Sequence, residues 1–100
     1  MIRHIVAFKL AASDPDQQAT DAAGIASHLE PLASVIPGVL ALEVRNDLGI
    51  VPGHWEVVLI SDHESVEALE SYQSHPAHVE AAGWVSTVVS GRAIVDFEVS

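Results

Sequence analysis

The chain holds 100 residues, with 14 Asp and Glu against only 4 Lys and Arg, a net charge of −10 that full protonation of its six His would still leave at −4. Its 49% hydrophobic and 18% charged residues support a packed core and exclude a disordered acidic tail. Arg3, Lys9, Arg45 and Arg92 are too few and too scattered to displace counterions, which excludes nucleic acid and an anionic membrane as partners, and the absence of Cys excludes disulfides, thiolate nucleophiles and cysteine-based metal sites.

Ile2 to Leu10 alternates strictly, with Ile2, His4, Val6, Phe8 and Leu10 on one face and Arg3, Ile5, Ala7 and Lys9 on the other. That is the period of a strand whose first face is buried. The same segment is short, carries three basic or imidazole side chains and lacks a small-residue cleavage site, so it does not read as a signal peptide. No apolar run reaches membrane-spanning length, and with the lack of Cys a cytoplasmic location is expected. Ser13-Asp14-Pro15-Asp16 supplies a capping side chain, a Pro for the first helical turn and acidic groups for the positive end of the helix dipole. Ala22, Ile25, Ala26, Leu29, Leu32, Ala33 and Ile36 then recur at helical spacing. Pro31 is expected to kink or divide this helix because it removes a backbone donor, and Ile36-Pro37-Gly38 ends it.

Val39 to Asn46 alternates again and predicts a second strand, followed by an Asp47 to Gly53 loop rich in breakers. A third strand is expected over His54 to Ser61, its apolar centre Val57 to Ile60 suited to burial on both faces. Ser61-Asp62-His63-Glu64 has the form of a capping box. Val66, Leu69 and Tyr72 carry a short amphipathic helix that halts at His75-Pro76, since the residue before Pro avoids the helical region. Pro76 starts a further helix through Val79, Ala82, Val85, Val88 and Val89, closed by Gly91. Arg92 to Val99 alternates as a final strand. With no repeat and no internal boundary, residues 1–100 read as a single domain.

The order β-α-β-β-α-β predicts an α+β, ferredoxin-like protomer: an antiparallel four-stranded sheet with helices on one face. The other face of the sheet also carries apolar residues. Two such sheets packed face to face would cover both, which predicts a symmetric homodimer.

Five segments in register, Met1 to Lys9, Ile36-Pro37-Gly38-Val39, Glu67 to Tyr72, His75-Pro76-Ala77-His78 and Val95-Asp96-Phe97-Glu98, resemble the stress-responsive α/β-barrel (Dabb) family. The resemblance spans the whole chain and implies a dimeric α/β barrel. It also implies a relation to olivetolic acid cyclase-like proteins, a plant branch that carries out cofactor-independent aldol cyclisation of polyketides with a Tyr and a His. These match Tyr72 and His78 here. A further His of that branch, on the third strand, is replaced by Glu56.

The residues themselves give the same short list. His4 shares the inward strand face, where an imidazole serves either as a hydrogen-bonded core group or as an acid or base near neutrality. His78 lies one turn into the helix begun by Pro76, where the positive end of the dipole favours the neutral ring. Tyr72, closing the preceding helix, reads either as a core aromatic or as a donor to an oxyanion. His75 reads as an N-cap with a pocket role as the alternative, and Trp84 reads as a core or dimer contact with pocket lining as the alternative. His28, His54 and His63 read as surface residues. His75, His78 and Glu80 fall short of a convergent metal site, so neither metal nor cofactor is expected. The leading reading is a homodimer that binds a small apolar carbonyl or phenolic compound in a pocket of His4, Tyr72, His75, His78 and Trp84. If it is an enzyme, it is a cofactor-independent cyclase, lyase or isomerase with His78 as base and Tyr72 as donor. The alternatives are a non-catalytic stress-response or ligand-binding dimer and a cofactor-independent monooxygenase.

Overall fold

A computed structural model describes residues 1–100. The elements run β1 (Ile2–Leu10), α1 (Pro15–Leu29), α2 (Leu32–Val35), β2 (Val39–Asn46), β3 (Val57–His63), α3 (Val66–Ser74), α4 (Pro76–Ser86) and β4 (Val89–Glu98). The strands form one antiparallel sheet in the order β2-β3-β1-β4, the ferredoxin-like βαββαβ arrangement. Asp14 caps α1 by accepting the Gln17 N–H at 2.9 Å, with Pro15 in the first turn. The predicted break at Pro31 separates α1 from α2.

Alternation on the strands divides the sheet into two unlike faces. Val6, Phe8 and Leu10 of β1 and Val57 and Leu59 of β3 are buried against Ile25 and Leu29 of α1, Leu69 and Tyr72 of α3, and Ala81 and Val85 of α4. The opposite face has no helix. Its register puts Ile5, Ile60 and Val95 in one row and Arg3, Asp62 and Phe97 in another. Val95 and Phe97 are exposed there, and Arg3 makes a two-pronged ion pair with Asp62 at 2.8 and 3.2 Å.

Two strands and one helix end differ from expectation: the helix begun by Pro76 stops at Ser86 rather than running through Val89, which instead opens the last strand. The third strand is Val57–His63 rather than His54–Ser61, so Ser61 and His63 are buried strand residues and not parts of a cap. Pairing of His63 with both Ile2 and Val39 gives this segment a ladder on each side, whereas a helix start there would leave its backbone donors open. The cap of α3 is instead Ser65, whose hydroxyl accepts the Ala68 N–H at 3.1 Å. The last strand begins at Val89 rather than Arg92, because a register shift between Lys9 and Leu10 keeps pairing through Gly91. No helix is long and apolar enough to cross a membrane.

Candidate functional site

Four rings from four elements meet between the sheet and the helices. Tyr72 of α3 lies 4.7 Å from His63 of β3, 4.5 Å from His78 of α4 and 6.5 Å from His4 of β1, measured between ring centroids, and His4 and His63 are 6.2 Å apart. Beside them is a cavity of about 200 Å³, small among ligand pockets, which commonly run to about 300–1,000 Å³. Its apolar walls come from Val6, Phe8, Leu29, Leu59, Val85 and Ile94, and its polar groups from His4, Tyr72, Gln73, His78 and Arg92. β4 is an edge strand, and its residues on this face, Arg92 and Ile94 among them, remain exposed beyond the helices, which leaves the cavity a mouth.

Hydrogen bonds orient two of the rings. His78 Nδ1 stands 3.0 Å from the Gln73 carbonyl oxygen; a carbonyl only accepts, so Nδ1 carries the hydrogen and Nε2 of the neutral ring keeps its lone pair. Burial lowers the His78 pKa below the ordinary 6.5, against the opposing pull of the Gln73 carbonyl. His4, itself buried, has Nδ1 at 2.5 Å from an Asp96 carboxylate oxygen, which orients its ring in the same way. Behind them His63 is fully buried, with Nε2 2.8 Å from the Ser61 hydroxyl and Nδ1 without a partner. Its pKa is lowered, first by burial and then by the neighbouring His4.

Tyr72 is fully buried, and its hydroxyl has no hydrogen-bond partner within the fold. Burial pushes its pKa up to about 12, so the phenol stays protonated. A buried hydroxyl left unpaired costs about 1–3 kcal/mol.

The structure thus brings His4, Tyr72 and His78 to one cavity and leaves the other two proposed pocket residues outside its lining. His75 caps α4, with Nδ1 accepting the Ala77 N–H at 3.0 Å. Trp84 turns toward α1 and stacks on His28, centroids 4.0 Å apart and planes 7° from parallel. It reaches there because Gly24 offers no side chain: a Cβ would lie 2.2 Å from Trp84 Cη2. His28 is accordingly half-buried, and Nδ1 bonds the Gly24 carbonyl at 2.7 Å. His54 is exposed, as expected, beside Asp47 at 3.1 Å. Glu56, where the resemblance places a third-strand His, accepts the Leu10 N–H at 2.7 Å and lies outside the lining. No three His, Asp or Glu side chains converge in a metal-binding arrangement.

Sequence reasoning missed His63, Asp96, Gln73 and Arg92. His63 continues the period of Val57, Leu59 and Ser61, a signal masked by the capping-box pattern. Asp96 pairs directly with His4 across β1 and β4, and its inward parity on the last strand was there to be read.

Residues 2–99 match the family model described as Stress responsive A/B Barrel Domain. No curated protein matches the chain. Among solved structures, a dimeric ferredoxin-like protein of unknown function from Bacteroides fragilis superposes with a TM-score of 0.85 at 28% identity, over 98% of this chain and 95% of that one. A dimeric ferredoxin-like protein of unknown function from Thermobifida fusca gives 0.81 at 26% identity, over 98% and 90%. A hydroxynitrile lyase from Passiflora edulis gives 0.80 at 16% identity, over 99% and 93%, a likeness of fold alone.

Proposed function

The chain belongs to the stress-responsive A/B barrel family, and on that premise we propose that it is a homodimer whose protomer binds a small, largely apolar carbonyl or phenolic compound and moves a proton on it without a cofactor. In this reading His78 Nε2 takes a proton from the carbon beside a carbonyl, and the electron pair released passes to the carbonyl oxygen. Tyr72 donates its hydroxyl hydrogen bond to the oxyanion that forms. Return of the proton to another carbon completes an isomerisation. Attack of the enolate on a second carbonyl of the same molecule is an aldol cyclisation, and its reversal is a lyase reaction. In the same reading His4, held by Asp96, acts as a second proton carrier.

The observation that carries this reading is the Tyr72 hydroxyl, buried, protonated and unpartnered, with His78 as its ring neighbour. The homodimer is supported by the helix-free sheet face with Val95 and Phe97 uncovered. Its test is the titration of aromatic ketones and polyketide mimics against the wild type and His78→Ala. The expected result is binding by both and turnover by the wild type alone; equal turnover by both removes His78 from the chemistry.

A further inference from the structure

The pocket's charge is at odds with that of the chain. The protein carries 14 Asp and Glu, yet none of them is among the twelve residues lining the cavity, and the one permanently charged side chain there is a cation, Arg92. The other two arginines are neutralised, Arg3 by Asp62 and Arg45 by Glu43, and Lys9 lies on the helix-free face. Arg92 has no carboxylate within ion-pair distance; its Nη2 instead bonds the Ser86 hydroxyl at 3.1 Å. An unpaired guanidinium at an apolar mouth, on a molecule whose net field repels anions, is the feature expected of an anion anchor.

We propose that Arg92 holds a carboxylate of the substrate, so that the pocket takes a carbonyl compound with an apolar body and a carboxylate end, bound with that end at the mouth and the body toward Tyr72 and His78. This specificity role rests on the pocket reading above for its site but not for its chemistry. The planar fork of Arg matches a carboxylate. Ser86 is the last residue of α4, and the partial negative charge of a helix C-terminus disfavours a phosphate dianion at that place more than a singly charged carboxylate, which the guanidinium offsets.

The test compares 4-phenylbutanoate with its uncharged counterpart 4-phenylbutanamide, and 4-phenyl-2-butanone as a neutral carbonyl probe, by calorimetric titration. The wild type is expected to prefer the carboxylate over the amide by at least about tenfold, which is about 1.4 kcal/mol. The preference should shrink as salt is raised, because the guanidinium is exposed. Arg92→Gln should abolish the preference while leaving 4-phenyl-2-butanone affinity unchanged, Arg92→Lys should keep part of it, and Arg92→Glu should reverse it. Phenyl phosphate binding more tightly than the carboxylate, equal affinity for carboxylate and amide in the wild type, loss of all probes together in Arg92→Gln, or no binding of any probe would overturn the assignment. Turnover is read separately: an Arg92-dependent carboxylate preference alongside full activity in His78→Ala would sink the catalytic reading and leave the anchor standing.

Discussion

Replacing Tyr72 by Phe removes one oxygen and leaves the ring that packs against His63 and His78 at 4.7 and 4.5 Å. Ordinarily the loss of a buried hydroxyl costs stability because its partner is orphaned. Here no partner exists in the fold, and the oxygen itself is the unsatisfied group. An unpaired buried polar group carries a penalty of about 1–3 kcal/mol, so Tyr72→Phe should unfold at higher denaturant, with a gain of about 1 kcal/mol at the low end of that range. For a domain of this size the same gain raises Tm by about 4–8 °C. The measurement is a urea titration at fixed protein concentration, with the slope unchanged so that only the midpoint moves, beside an activity assay on the same preparation. Stability should rise while turnover is lost. A loss of about 1 kcal/mol or more would mean that the hydroxyl is hydrogen-bonded in the free protein, and the picture of an idle donor waiting for a ligand would be wrong.

Three further outcomes follow from the packing and the charges. The lowered pKa of buried His63 means the unfolded chain binds a proton that the fold refuses. Stability should therefore be complete above the unfolded value near 6.5 and fall as pH drops from there toward the folded value, by about 1.4 kcal/mol for each unit of depression. His78 adds to the same slope, and His63→Asn should flatten it; a urea midpoint unchanged between about pH 7.5 and pH 5 would contradict this. Gly24→Ala should destabilise despite the better helix propensity of Ala, since its Cβ would meet Trp84 Cη2 at 2.2 Å and overpacking costs about 1–3 kcal/mol. Gly83→Ala, in the interior of α4 with open space around it, should stabilise by about 0.5–1 kcal/mol; thermal melts that rank the two the other way would refute the close-packing argument. Val95→Asp, on the helix-free face where Val95 is exposed in the protomer, should convert the dimer to monomer in sedimentation velocity, and an unaltered sedimentation coefficient would place the dimer contact elsewhere.

Much of the architecture was legible in the sequence because the alternation is strong. β1 and β2 have the predicted limits, and the Pro31 and Pro76 breaks fall where a missing backbone donor demands them. Legibility failed where polar residues occupy buried strand positions. The Ser61 hydroxyl bonds His63 Nε2 within the sheet, and that pairing is invisible to a pattern that equates Ser, Asp, His and Glu with a helix start. The site was half legible for the same reason. Tyr72 and His78 announce themselves beside Pro76, whereas Asp96 and Arg92 acquire meaning only once β4 is laid against β1. Trp84 packs against the core, as its first reading had it, and not in the pocket, because its direction is set by the gap at Gly24, sixty residues away in the chain.

The central claim is that His78 and Tyr72 together move a proton beside a carbonyl, and hydrogen–deuterium exchange at the α-carbon of 4-phenyl-2-butanone in D₂O, followed by proton NMR, reads that step without requiring the natural substrate. The account predicts exchange catalysed by the wild type, lost in His78→Ala and slowed in Tyr72→Phe by on the order of 10²–10³-fold, the usual cost of one oxyanion donor. Exchange at the wild-type rate in both variants would contradict it.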